Sequence, residues 1–234
     1  MSLDFDLYVV TDRQLTAGRP LCLVVEAALR GGARALQLRE KDLSPRELYP
    51  LALEMRQLTQ MYGAHLLIND RVDVALAVDA DGVHLTTTSL PVTVARQLLG
   101  PGRLIGVSTH SMAEAQAAAD EGADFVVFGL VFYTPSKAPY GEPVGLDALR
   151  AVRAAVNIPI LAIGGVKKAN LDQALAAGAD GIAVISAIIS ADDPTAASQA
   201  LLGMLSARRA KAGLQPSSSM ADRGIYPQPG QEIV

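Results

Sequence analysis

The chain of 234 residues carries a formal net charge of −4, so it has room for one sizeable core and lacks the positive excess of a nucleic-acid-binding surface. Half of its residues are hydrophobic, yet no apolar run approaches the roughly 20 residues that span a bilayer. A lone cysteine, Cys22, rules out an internal disulfide, and a start with Asp4 and Asp6 before Leu7-Tyr8-Val9-Val10 lacks the basic region and long apolar core of a secretory signal. A cytoplasmic protein without nucleic-acid or membrane partners is expected; its oligomeric state, homo-oligomer or monomer, stays open.

Apolar runs bounded by turn residues predict strands at 7–11, 35–39, 65–69, 82–85, 104–108, 125–129, 160–163 and 181–185. Helical spacing falls between them. The first helix carries Cys22 on its apolar face as a small core hydrophobe, and 45–62 follows Ser44 as N-cap with Pro45 at the first helical position. A short stretch at 71–78, then 91–99, 111–121, 146–156, 168–177 and 194–211, complete the alternation. Four of the joints read Gly-Ala before a strand, at Gly32-Ala33, Gly63-Ala64, Gly122-Ala123 and Gly178-Ala179, where glycine suits the left-handed end of a helix. Eight strands alternating with helices predict an α/β TIM (β/α)8 barrel as a single domain over 1–212. An open doubly wound sheet would want a glycine-rich fingerprint after its first strand, and Thr11-Asp12-Arg13-Gln14 is not one. Residues 133–145, with three prolines and Lys137, are expected to form a mobile flap, and 213–234 a disordered tail too poor in apolar surface to offset its ordering entropy.

In such barrels chemistry gathers at the carboxyl ends of the strands. Alternation puts Gln37 and Arg39 on the inner face of the second strand and Leu38 on the outer, while Lys41 adds a second cation just beyond it. Two cations so placed can hold an anion as large as a diphosphate; alternatively Arg39 pairs with Glu40, which otherwise orients the cations. Asn69-Asp70 ends the third strand, and Asp70 suits either Mg²⁺ or the N-cap of the next helix. His84 lies within the fourth strand and reads as a core histidine, and His65 belongs to the far end of the barrel. Ser108-Thr109-His110-Ser111 leaves the fifth strand, so His110 is the histidine placed for acid–base work, with Ser111 as a helix cap. Gly164-Gly165 after the seventh strand and Ile185-Ser186 after the eighth stand where barrels often bind a phosphate, although the glycines alone also make a tight turn.

Gln-x-Arg-Glu-Lys, Asn-Asp, Gly-Val-Ser-x-His, Thr-x-Ser-Lys, Ile-Gly-Gly and Ile-Ser-Ala occur in that order, each at a strand end. Together they resemble the thiamin phosphate synthase and thiazole tautomerase superfamily of TIM barrels, from Leu7 to about Ala207. The resemblance implies that Gln37, Leu38, Arg39, Glu40, Lys41, Asn69, Ser108 and Lys137 bind a hydroxymethylpyrimidine diphosphate, with Asp70 on Mg²⁺ as cofactor. It implies that Thr134, Pro135, Ser136, Gly165, Ile185 and Ser186 bind the phosphate of a hydroxyethylthiazole. Arg39, Lys41, Ser108 and Lys137 would then serve catalysis, joined by His110. The synthase pattern has a second Mg²⁺ carboxylate in a Gly-Gln-Glu-Asp stretch after the fourth strand, whereas this chain reads Thr86-Thr87-Thr88-Ser89. The tautomerase branch also lacks that acid and uses a histidine matching His110, but it has largely lost the Asn-Asp pair. The expectation is therefore a thiamin phosphate synthase, with a thiazole tautomerase or a non-catalytic barrel binding a thiamin precursor as the alternatives.

Overall fold

A computed structural model describes residues 3–134 and 142–211. Eight parallel strands close in sequence order into a barrel: β1 (Leu7–Val10), β2 (Ala35–Leu38), β3 (His65–Asn69), β4 (Gly82–Leu85), β5 (Leu104–Thr109), β6 (Phe125–Phe128), β7 (Ile160–Ala162) and β8 (Gly181–Val184). Around them lie α1 (Leu21–Arg30), α2 (Pro45–Met61), α3 (Val72–Ala77), α4 (Val92–Leu99), α5 (Met112–Asp120), α6 (Gly145–Ala155), α7 (Leu171–Ala176), α8 (Ser186–Ile189) and α9 (Pro194–Lys211). Each predicted strand is present, ending within a residue of its expected limit. The glycines of all four Gly-Ala joints take positive φ, between 58° and 107°. Ser44 caps α2 in a reciprocal capping box with Glu47, which satisfies two donors that the helix start would otherwise orphan. The four-residue α8 was not foreseen; it is too short for a periodic apolar pattern to announce it. The flap expected at 133–145 falls largely on 135–141, and the expected tail on 213–234, both outside the described residues.

Period-two alternation sorts the strand side chains into two cores. Outward residues such as Leu36, Leu38, Leu66, Ile68, Val83 and Ile105 pack beneath the helices, where Cys22 lies partly buried against them. Inward residues, among them Tyr8, Val10, Leu67, Phe125, Val127 and Leu161, fill the barrel itself. Tyr8 and Phe125 meet edge to face with ring centroids 5.6 Å apart, an arrangement the aromatic quadrupole favours. This plug floors the site above it.

The opposite, amino-terminal face repeats one ionic device. Asp81, immediately before β4, accepts from Leu66 N of β3 at 2.8 Å and from Arg56 of α2 at 2.7 Å. Asp124, before β6, takes Ile105 N of β5 at 2.7 Å and Arg96 of α4 at 2.6 Å. Asp180, before β8, takes Ile160 N of β7 and Arg153 of α6, both at 2.8 Å. Each clamp ties two neighbouring strands and the helix that precedes them, and Arg34 occupies the corresponding place before β2. Asp124→Ala would leave the Ile105 N–H without its acceptor and take the carboxylate from Arg96, which keeps the Gly100, Arg103 and Gly122 carbonyls. It is expected to cost about 2 kcal/mol, read as a lower urea midpoint at an unchanged slope.

Candidate active site

At the carboxyl end of the barrel, the turn after β1 holds the turn after β2 through a buried carboxylate. The Thr11 hydroxyl donates to Glu40 Oε1 at 2.7 Å and accepts from the Arg39 backbone N–H at 2.9 Å. Glu40 also accepts from Arg13 N at 3.1 and 3.2 Å and from Arg13 Nη1 at 3.2 Å, and its side chain is only 2% exposed. Asp42 takes the other side of the Arg13 guanidinium, which holds the Asp42 carboxyl down at about 2. Glu40, the partner a purely structural reading would give Arg39, is thus committed to Thr11 and Arg13. It positions Arg39 by way of the main chain, a role for Thr11 and Arg13 that sequence reasoning missed. A polar residue directly after β1, matching those after β2 and β3, was the available signal.

Gln37 is buried inside the barrel, its amide donating to the Tyr8 hydroxyl at 3.3 Å, while Leu38 points into the outer core and offers the mouth only its backbone. Arg39 is half-buried at the rim and Lys41 is exposed beyond it. Across the mouth, Asn69 Oδ1 is buried without a hydrogen-bond partner. Asp70 sits at φ +65°, and α3 has no side-chain cap, so the N-cap reading of Asp70 does not hold. Asp70 and Ser89 line a common depression of about 600 Å³ with Arg71 and Thr88. Ser89 Oγ meanwhile accepts from Thr86 N at 2.8 Å within its own loop.

His84 is not the satisfied core histidine that its mid-strand position suggests. Its Nε2 lies 2.9 Å from Ser108 Oγ, and its Nδ1 is buried with no partner. Gly106 makes that tight fit possible, since a Cβ there would stand 2.3 Å from the Phe125 ring and 2.8 Å from His84 Nδ1. Burial first, and then the charge of Arg39, lower the imidazole pKa to about 3, so the ring is neutral at physiological pH. His110 takes another course. It stands at the start of α5, where Glu114 accepts from its backbone N–H at 2.7 Å and meets its Nδ1 at 3.3 Å, with the side chain 60% exposed. His65 sits at the far end against Asp4, as expected.

The turn after β7 presses against the chain beyond β6. Gly165, at φ +64°, would bring a Cβ to 2.6 Å from Tyr133 O, so the tight-turn requirement is real, and Asn170 pins the turn by accepting from Lys167 N and donating to Gly165 O. Ile185 and Ser186 form the start of α8 across from it, and Thr134 closes the described part of the β6 connection. Pro135, Ser136 and Lys137 lie outside the described residues.

Over residues 7–188 the chain matches the family model described as thiamine monophosphate synthase. The chain belongs to the thiamine monophosphate synthase family. Family members include the thiamine-phosphate synthase of Chloroflexus aurantiacus, 50% identical over 210 residues that cover 90% of this chain and 97% of the relative. A Geobacter sulfurreducens protein that bears the same name provisionally is 58% identical over 206 residues, 88% of this chain and 97% of its own. Among solved structures, thiamine phosphate pyrophosphorylase from Pyrococcus furiosus superposes with a TM-score of 0.79 at 43% identity, covering 87% of this chain and 96% of that one. Family membership makes this barrel mouth the place to look for synthase chemistry. Among the described residues no helix is long and apolar enough to cross a membrane.

Proposed function

We propose that this protein is a thiamin phosphate synthase, joining a hydroxymethylpyrimidine diphosphate to a hydroxyethylthiazole phosphate. The observation that carries this reading is the placement of Arg39, Asn69, Asp70 and Ser108 at the carboxyl ends of three strands of one closed barrel, within a family whose relatives bear the synthase name. Diphosphate departs from the exocyclic methylene carbon with the bonding electron pair, and the thiazole nitrogen lone pair forms the new carbon–nitrogen bond. Thiamin phosphate and diphosphate result. Arg39 and Lys41, joined by Lys137, neutralise charge as it grows on the leaving diphosphate, and Ser108 donates to it. Gln37 sits deeper, where an amide can address a heterocycle rather than a phosphate. Leu38 and Glu40 contribute backbone groups. Thr134, Pro135, Ser136, Gly165, Ile185 and Ser186 hold the thiazole phosphate.

Two oxygen donors in the loops after the third and fourth strands suit a hard cation. Asp70 has its carboxylate free of helix capping, and the Ser89 hydroxyl lines the same depression. Mg²⁺ held there with diphosphate oxygens would supply electrostatic stabilisation of the leaving group. With one carboxylate, the protein alone should bind Mg²⁺ poorly. Calorimetry on the substrate-free protein is expected to detect no tight site, and Ser89→Asp should tighten Mg²⁺ by at least about ten-fold. Tight binding by the unaltered protein would mean that another ligand has been overlooked.

The decisive assay supplies both substrates with Mg²⁺ and follows thiamin phosphate. Bond making and breaking in this reaction need no proton shuttle, and His110 rests on Glu114. His110→Ala should therefore change coupling by less than about three-fold, where a tautomerase would lose roughly 10² to 10⁴ in rate with its acid–base group. Conversion of a thiazole tautomer without coupling, dependent on His110, would replace the synthase reading.

A further inference from the structure

His84 is a buried titratable side chain outside the motifs that point to the site, and it touches a proposed diphosphate-binding group, Ser108. The ring is 1% exposed, enclosed by Tyr8 and Phe125 with centroids 5.7 and 6.0 Å away, and reaches out of the core only through the 2.9 Å contact to Ser108 Oγ. Among the described residues no carboxylate is paired with it, so a charged imidazolium would be buried uncompensated and the ring is neutral. A neutral imidazole carries its proton on one nitrogen, and the other can only accept.

The two tautomers set the Ser108 hydroxyl differently. If Nδ1 held the proton, Nε2 would accept, Ser108 would spend its hydrogen on the ring, and its lone pairs would face an incoming anion. An N–H would also be buried without a partner at Nδ1, which faces the packed side of Gly106. With the proton on Nε2, the ring donates to Ser108 Oγ and the hydroxyl hydrogen is free to point into the mouth. Only this arrangement presents a donor to an anionic oxygen.

We propose that His84 is a positioning residue that donates from Nε2 to Ser108 Oγ and thereby commits the Ser108 hydroxyl proton to the departing diphosphate. The inference rests on the synthase reading and on Ser108 as a diphosphate contact. His84 touches no substrate itself; it fixes the direction of a donor whose value rises as negative charge builds on the leaving group.

The test compares His84→Phe, His84→Gln, Ser108→Ala and the His84→Phe/Ser108→Ala pair, with kcat and KM measured for the pyrimidine diphosphate and folding followed by circular dichroism. Phe keeps the ring volume and removes the donor, whereas Gln can set an amide N–H near the place of Nε2. Losing a hydrogen bond of about 1 kcal/mol predicts a roughly five- to ten-fold fall in kcat for His84→Phe, with KM within about two-fold. Recovery is expected in His84→Gln, and no further loss when His84→Phe is added to Ser108→Ala. Nitrogen-15 NMR of the unaltered protein gives a readout independent of any variant's folding, and should find the Nε2–H tautomer. The Nδ1–H tautomer, or a His84→Phe loss that persists undiminished in the Ser108→Ala background, would overturn the proposal. If Ser108→Ala leaves turnover unchanged while coupling activity is present, the assignment of Ser108 falls instead. Absence of coupling in the unaltered protein would sink the synthase reading on which both depend.

Discussion

Replacing Arg39 by Ala is expected to lower kcat/KM for the pyrimidine diphosphate by about 10² to 10³-fold, the scale of removing one preorganised donor from developing negative charge. Its backbone is fixed by Thr11 and the Glu40 carboxylate is engaged by Arg13, so little in the fold relies on the Arg39 guanidinium. The urea midpoint should therefore hardly move. Arg39→Lys keeps the charge but not the planar fork, and should fall between the two. A stable Arg39→Ala protein with normal kinetics would show that the diphosphate is bound elsewhere. Cutting the support from behind should have a different signature: Glu40→Ala removes the acceptor of Thr11 and Arg13 and would impair both stability and turnover.

Asp70→Asn should lower turnover by about 10²-fold through loss of the carboxylate proposed for Mg²⁺. The variant separates charge from conformation. Asp70 stands at φ +65°, a region that Asn visits as readily as Asp, so Asn keeps the backbone and the shape while removing the negative charge. Stability should be nearly unchanged, and raising Mg²⁺ should restore part of the rate. Asp70→Ala adds a side chain that tolerates this conformation poorly and should cost about 1 kcal/mol of stability besides. Equal activity in Asp70→Asn at all Mg²⁺ concentrations would remove Asp70 from the metal proposal.

The barrel was legible because its signals are local and repeated. Apolar runs bounded by turn residues at 65–69 and 82–85 placed β3 and β4 to the residue, and Gly-Ala marked helix ends that do adopt positive φ. Strand-end position likewise pointed to Arg39, Asn69 and Asp70 without any knowledge of contacts, whereas Ser108 came from the family resemblance. What stayed hidden was pairing at long range. Nothing in a single sequence tells that Glu40 turns toward Thr11 and Arg13, 29 and 27 positions away, or that His84 reaches Ser108 across the β4–β5 ladder. A histidine in a strand looks alike whether it packs idly or props up a hydroxyl. The choice between Asp70 as cap and Asp70 as ligand likewise needed the observed φ and the uncapped start of α3.

The three Asp–Arg clamps beneath β3 to β8 lie a full strand length from Arg39, Asn69, Asp70 and Ser108. A set of stabilising ionic contacts is thus kept apart from turnover, and a lineage facing a hotter habitat could strengthen the amino-terminal pole without retuning the other. Position 34, where an Arg stands in place of a fourth Asp, is a natural first site for such adaptation.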